Sequence, residues 1–527
     1  MELFSAQFLI FLAAAWCIYM VLGRVKPGIQ WTALLAASLA FYAIAGGWQS
    51  LVYVIGAATV SWAAAVWLEK LEGQSKAVRK AVSDRAEKKA IKARFTVRKR
   101  LVLIGALAIC LGVLGYLKYW ETILGYLMPD AGHLGLVLPL GISFFTFQVT
   151  GYVIDVYNGK EPAERNLAKH LLFTAYFPQL IQGPINKHRA LAPQLTAPHA
   201  PDVHGMRRGL VRIALGLFKK FAVAVMLQKT VGDIFGHVDD SIPGALVVVG
   251  LLAYNAQLYG DFSGGIDMVE GVSELFGIEM GPNFRQPYFS VSLADFWTRW
   301  HISLGAWMRD YVFYPLALTK PFQELGKKAG ARFGKHIGRT AGACIANVIV
   351  FLLVGLWHGA QAHYLVWGLY NGVIVAASDL LAPAFKALGE KLHVRRESMG
   401  FRVWAIVRTF AVVNIGRYFD CVSSLSDSMT CLHNTVFNFA PIPFRQALEL
   451  WGVPGFEVMG IPRVVVIALV LIAVVSVNAE RGVDVRERVL KLHPVLRVAL
   501  YLVCILIVIY QFDWTVRGGG TFLYANF

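Results

Sequence analysis

The chain has 527 residues, 57% hydrophobic and only 16% charged, with a formal net charge of +17. So apolar a composition, arranged in long runs, excludes an ordinary soluble domain and predicts an all-α polytopic membrane protein. The charge argues against a nucleic-acid partner because it is gathered in loops between apolar spans, as expected beside a lipid bilayer.

In chain order the apolar runs predict spans at 5–23, 30–48, 50–68, 101–119, 134–156, 168–185, 208–230, 243–262, 341–358, 360–381, 401–418, 463–479 and 496–514. No Lys or Arg precedes the first run and no small-residue cleavage pattern follows it, so 5–23 reads as a retained span rather than a signal peptide. The stretch 69–100 holds twelve Lys/Arg against four Asp/Glu. It reads as a partly helical cytoplasmic arm near anionic headgroups. Three spans precede it, which puts the N-terminus outside. A second basic block, 320–339, has six Lys/Arg and one Glu. The stretch 480–497 is basic as well, so the last span delivers the C-terminus to the outside. Several runs are interrupted by Gly, Pro or polar residues and read as re-entrant or tilted segments buried in protein. Cys421 and Cys431 share one loop placed outside, where a disulfide is chemically permitted. No Cys/His spacing indicates a metal site.

Leu293–Asp310 reads as one amphipathic helix. Leu293, Phe296, Trp297, Trp300, Leu304 and Trp307 recur at steps of three and four, while Asp295, Arg299 and Asp310 fall off that face. Such a helix would lie at the membrane interface. His301 sits within it. His358 lies in the apolar run ending GLWHGA, where an ionisable side chain is costly and marks a functional site by default. Gly355 and Gly359 remove bulk beside its imidazole, leaving room for another chain or a ligand. A neutral imidazole can act as a general base near pH 7; the plainer reading is a core histidine bonded to a neighbouring helix. Gln148, Gln179, Gln182, Gln257, Asp261 and Ser263 also fall at apparent membrane depth. They suggest a polar-lined passage, a feature that a transporter or flippase would share.

The stretches LPLGISFFTFQ (138–148), YFPQLIQGPI (176–185), YGDFSGGIDM (259–268), NFRQPYFSVSLADFWTRWHISLGAWMRDYVFYPL (283–316) and GLWHGA (355–360) occur in this order. Together they resemble the membrane-bound O-acyltransferases (MBOAT), most closely the bacterial branch that serves alginate and peptidoglycan O-acetylation and teichoic-acid D-alanylation. The resemblance implies a ring of membrane helices around a funnel. The family's invariant histidine maps to His358 and its second histidine to His301. It further implies an acyl donor on the cytoplasmic side, acetyl-CoA or an acyl-carrier-protein thioester, with no bound cofactor and no metal. An extracytoplasmic partner of the SGNH type, a cell-envelope polysaccharide as acceptor, and the bacterial cytoplasmic membrane as location also follow from it. On this reading His358 is the base and His301 a cytoplasm-side contributor to thioester binding. Trp297, Trp300, Gln257, Asp261 and Trp357 contact substrate, and Arg309 and Asp310 hold the local fold. Acetyl transfer is the first expectation and D-alanyl transfer the alternative.

The resemblance also divides the chain into an N-terminal helical part (1–130), an MBOAT core (131–385), C-terminal helices (386–514) and a tail (515–527). The tail ends FLYANF after three glycines. It has the F-x-Y-x-x-F pattern of a small D-alanylation partner, whose tyrosine relays an acyl group. Tyr524 is therefore expected to serve as an acyl relay on the outer side, or as an interfacial aromatic anchor.

Overall fold

The computed structural model describes residues 6–128, 135, 136, 138–180, 182–440, 457, 458 and 461–514. The tail with Tyr524 lies outside the described residues. The chain divides into two compact units, Met1–Leu210 with Val269–Gly281, and Val211–Met268 with Pro282–Phe527.

In the first unit, α1 (Ala6–Val25) and α2 (Trp31–Ala45) lead into two very long helices, α3 (Gly47–Ala81) and α4 (Arg85–Leu127). At about 1.5 Å per residue both outrun the roughly 30 Å hydrocarbon core. The stretch read as a part-helical loop over 69–100 is thus the tip of a helical hairpin. It turns over residues 82–84, where the Asp84 side chain accepts the Glu87 amide (2.8 Å) and caps α4. Glu72 ties the arms together through Lys99 (2.8 Å), with Lys76 and Arg79 nearby. This is a solvated ion-pair cluster that contributes little net stability.

The next helices are short: α5 (Ile142–Tyr157), α6 (Leu167–Ala175) and α7 (His188–Thr196). Nearly all of α5 is buried. Its start requires Gly141 at φ +68°, where a Cβ would collide with the Leu180 carbonyl. The runs predicted as spans at 134–156 and 168–185 are therefore apolar because they are core, not because they meet lipid. Tyr42, Val54, Leu114, Phe145 and Leu180 form one cluster; Ala65, Leu68, Tyr152 and Val153 form another. Of the glutamines read as lining a passage, Gln148 and Gln179 bond within the unit instead. Gln179 Nε2 donates to the Phe173 carbonyl (2.9 Å) and to Gln148 Oε1 (3.4 Å).

Helix α8 (Val203–Lys219) runs into a π-helical segment (Lys220–Val225), then α9 (Met226–Phe235) and α10 (Gly244–Leu275). The second unit starts within α8, and the greater part of α10 belongs to it. There Lys219 pairs with Asp267 (2.6 Å) and Lys220 with Asp261, both largely buried. Gly216 and Gly264 let the backbones meet: a Cβ on either would stand 2.6–2.8 Å from the other's carbonyl oxygen. Asp261 and Asp267 of YGDFSGGID thus fasten α10 to its neighbour.

The rest of the second unit comprises α11 (Leu293–Arg299), α12 (Ile302–Met308), a π-helical segment (Arg309–Phe313), α13 (Tyr314–Ala317), α14 (Lys320–Phe333), α15 (Lys335–His358), α16 (Ala362–Leu380), α17 (Ala382–Lys391), α18 (Met399–Arg417), α19 (Leu425–Phe437), α20 (Arg463–Glu480), α21 (Val485–Leu490) and α22 (Pro494–Trp514). A two-residue ladder pairs 457–458 with 461–462. Among the described residues seven helices are long and apolar enough to cross a membrane, or eight if the bent pair α16–α17 is one span. The protein is an all-α polytopic membrane protein, and among the described residues fewer helices meet this test than the thirteen apolar runs predict. Cys421 and Cys431 are unbridged.

Candidate active site

The single helix predicted over Leu293–Asp310 is broken in two. His301 adopts φ +47°, ψ +53°, a left-handed conformation that a non-glycine residue takes only when its surroundings impose it. Residues 283–285 impose it. The Arg285 N–H donates to the Arg299 carbonyl and the Ile302 N–H to the Asn283 carbonyl, both at 3.0 Å. Phe284 and Trp300 form an isolated antiparallel bridge. The aromatic face is core rather than interface: Phe296, Trp300, Leu304 and Trp307 are all buried. Trp300 stacks on Phe296 (5.6 Å, 18°) and meets Phe284 edge to face (5.0 Å).

The break fixes the imidazole of His301. Asn283 Oδ1 already accepts the Ser303 amide (3.0 Å), so its oxygen faces the ring, and His301 Nδ1 lies 3.3 Å from it. That assigns the proton to Nδ1 and the lone pair to Nε2. Phe262 packs edge-on at 4.8 Å and Trp357 lies 6.0 Å away. Burial pushes the His301 pKa down to about 3, so the ring is neutral across the physiological range. An imidazole so weakly basic suits accepting a hydrogen bond better than carrying a proton.

His358 is the last residue of α15, and it remains partly exposed. Its ring stacks on Tyr364 (5.9 Å, 25°) and meets Trp367 edge to face (5.1 Å). The glycines around it do not open space, as the sequence suggested; they close it. A Cβ on Gly355 would strike the Tyr364 carbonyl, one on Gly368 the Phe351 carbonyl, and one on Gly372 would sit 2.9 Å from Val348 Cα. Gly355, Gly368 and Gly372 thus bring α15 and α16 into backbone contact, the small-residue packing of membrane helices.

Both histidines line one cavity of about 450 Å³, wholly within the second unit. That volume suits a small ligand or an extended arm. Trp297 and Trp300 line it too; Gln257, Asp261 and Trp357 do not. Trp297 Nε1 donates to Asn371 Oδ1 (3.2 Å), which orients the indole. The cavity runs from Asn347 to His358 along α15, roughly 16 Å of helix rise. Arg309 and Phe313, from the π-helical segment, flank it, and π-turns recur at functional sites.

Sequence reasoning missed Arg417 and Asp420, which also line the cavity. Their signal was present: an arginine closing the apolar run of α18 with an aspartate three residues on. Arg417 is 4% exposed. Its Nε donates to Asn255 Oδ1 (3.0 Å), its Nη1 to Asp420 Oδ2 (2.5 Å), and its guanidinium lies 5.2 Å from the Trp300 ring centre. Burial raises the Asp420 pKa and Arg417 opposes that rise.

Residues 162–329 match the family model MBOAT, the membrane-bound O-acyltransferase family. The chain carries an MBOAT region. It takes in Trp297, Trp300 and His301; His358 follows its end. The chain is 36% identical to the probable alginate O-acetylase AlgI of Pseudomonas syringae pv. tomato over 328 residues, 60% of this chain and 57% of that relative. It is 29% identical to the peptidoglycan O-acetyltransferase of Helicobacter pylori over 64% of this chain and 65% of that one. It is 27% identical to the teichoic acid D-alanyltransferase of Bacillus subtilis, over 57% and 73%. The chain spans about half the length of the alginate relatives that it matches.

Proposed function

We propose that the protein is an O-acyltransferase that moves an acyl group, acetyl first, from a cytoplasmic thioester to a hydroxyl of a cell-envelope polysaccharide. The observation that carries this reading is the enclosure of His301 and His358 in one largely apolar cavity, in a chain with an MBOAT region. His358 is the base. It takes the proton of the attacking hydroxyl, the new C–O bond forms as the C–S bond breaks, and the proton passes on to the departing thiolate. His301, neutral and fixed by Asn283, accepts a hydrogen bond from the bound donor. Trp297 and Trp300 wall the acyl group off from water, which strengthens every polar contact inside.

The positive-inside pattern supports the route. The basic block 320–339 precedes α15 and Arg395 and Arg396 precede α18, so both helices start at the cytoplasm and end outward, at His358 and Arg417. The donor, a CoA or carrier-protein thioester, enters beside Asn347 and Arg309, and the acceptor arrives from the other end. Tyr524 is the proposed relay: a phenol that takes the acyl group as an aryl ester and hands it to an SGNH-type partner. The bacterial cytoplasmic membrane is the proposed location. D-alanyl transfer by the same route is the alternative that the teichoic-acid relative favours.

Envelope acylation measured in His358→Ala and Tyr524→Phe strains with normal protein levels tests this. Unchanged acylation in the His358 strain sinks the enzymatic reading and favours a transporter. An acyl mass on the C-terminal peptide, lost with His358→Ala, supports the relay; full activity of Tyr524→Phe leaves the tail an anchor.

A further inference from the structure

Two buried polar atoms on residues that line the cavity lack the partners their burial calls for. Arg417 is fixed on three sides, by Asn255, by Asp420 and by the face of Trp300. The Tyr288 hydroxyl donates to the Asn255 carbonyl (3.1 Å), and its oxygen also accepts from the guanidinium. Nη2 nevertheless makes no hydrogen bond to any described residue, and neither does Asp420 Oδ1. The rest of the network is held fast: Asn255 also donates to Asn414, and Tyr254 donates to the Asp420 carbonyl (2.9 Å). A buried donor or acceptor left without a partner costs free energy, more so when it belongs to a charged group. Here one of each belongs to a residue that lines the same cavity.

We infer that Arg417 and Asp420 form a binding subsite for the cysteamine thioester unit of the acyl donor, Nη2 taking the thioester carbonyl oxygen and Oδ1 the first amide N–H of the arm. This rests on the proposed function, since it assumes a thioester donor. The fit is one of pattern and reach. Each orphan is the second terminal atom of a fork whose first atoms are paired, Nη1 with Oδ2, so the orphans flank one ion pair. An acyl-cysteamine unit, CO–S–CH2–CH2–NH, offers one acceptor and one donor separated by the same short link, whether it hangs from CoA or from a carrier protein. A guanidinium N–H in a dry pocket is also well placed to hold the charge that grows on the carbonyl oxygen during attack. Trp300, which faces the guanidinium, keeps that fork in plane.

The test uses the full chain in nanodiscs and three probes. S-acetyl-N-acetylcysteamine presents both groups, S-ethyl-N-acetylcysteamine lacks the thioester carbonyl, and S-acetyl-N-methyl-N-acetylcysteamine lacks the N–H. The wild type should bind the first roughly tenfold more tightly than either of the others, the worth of one hydrogen bond to a charged group. Arg417→Lys should lose the preference for the carbonyl and keep that for the N–H. Asp420→Asn, which turns its amide NH2 toward the cavity, should do the reverse. The neutral double variant Arg417→Gln/Asp420→Asn should lose both, and it carries the test if a single variant unfolds. His358→Ala should keep both preferences. A wild type that binds the three probes equally, or folded variants that retain both preferences, overturns the assignment even while cells acylate their envelope. Acylation persisting without His358 overturns the enzymatic reading instead, whatever the probes show.

Discussion

His301 Nδ1 lies 3.3 Å from Asn283 Oδ1, across a break that puts His301 in a left-handed conformation between two short helices. The same Asn283 residue holds the Ser303 amide by its side chain and the Ile302 amide by its carbonyl. One residue therefore fixes the backbone turn, the tautomer and the ring orientation together. Asn283→Ala removes two acceptor contacts at once, at about 1 to 3 kcal/mol for the buried groups left unpaired. The variant is expected to unfold at lower temperature in nanodiscs and to lose activity beyond what its reduced stability explains.

The burial of His301 makes stability depend on pH in a definite sense. Its folded pKa of about 3 lies below the ordinary value of 6.5, so between the two the unfolded chain binds a proton that the folded one does not. The contribution is complete above pH 6.5 and is lost as pH falls toward 3, with a slope of up to about 1.4 kcal/mol per pH unit. His301→Gln keeps a polar group without the titration. Denaturation midpoints followed from pH 7 to 4 should fall more steeply for the wild type than for His301→Gln; parallel curves would show that the ring is not held neutral.

The sequence carried the class of the fold and singled out the two histidines that line the cavity, but not how they are held. Apolar runs separated by basic loops identified a membrane protein, because hydropathy and charge are local properties. The same runs overstated the spans, since α5 and α6 are apolar for the core and composition does not distinguish lipid from protein interior. The break at His301 was invisible: steps of three and four across Leu293–Trp307 describe a continuous helix, and only the distant 283–285 segment overrides them. Gly355 and Gly359 were legible as small but not as to what fills the space, which is Tyr364 rather than a ligand. Arg417 and Asp420 are locally no more than a helix end and a residue just beyond it, and the meeting of Arg417 with Asn255 and Trp300 depends on tertiary packing alone.

The buried pair Lys220–Asp261 should behave as structure and not as part of the site, since it does not line the cavity. Removing one partner leaves a buried charge uncompensated, at about 3 to 5 kcal/mol. Asp261→Ala is expected to reduce the folded yield sharply, while Lys220→Met/Asp261→Leu recovers it. Restored folding with restored acylation in the double variant is the expected outcome; restored folding without acylation would place Asp261 in the reaction.

Gly368 offers a sharper probe of how the site is built. A Cβ there would strike the Phe351 carbonyl oxygen, so a side chain must push α16 away from α15. Both helices carry cavity residues: Phe351, Val354 and His358 on one, Tyr364 and Trp367 on the other. Gly368→Ala should cost about 1 to 3 kcal/mol as an overpacked contact, and Gly368→Val more. The consequence for function follows from position rather than chemistry, because His358 is oriented by rings borne on the opposing helix. Displacements of about 1 Å at a reacting group can cost on the order of a hundredfold in rate. Gly368→Ala is therefore expected to lower turnover well beyond the fraction unfolded, with a smaller change in donor affinity, because Arg417 and Asp420 lie outside this helix pair. A loss of turnover that tracks the unfolded fraction alone would show that the spacing of α15 and α16 does not set the geometry of His358.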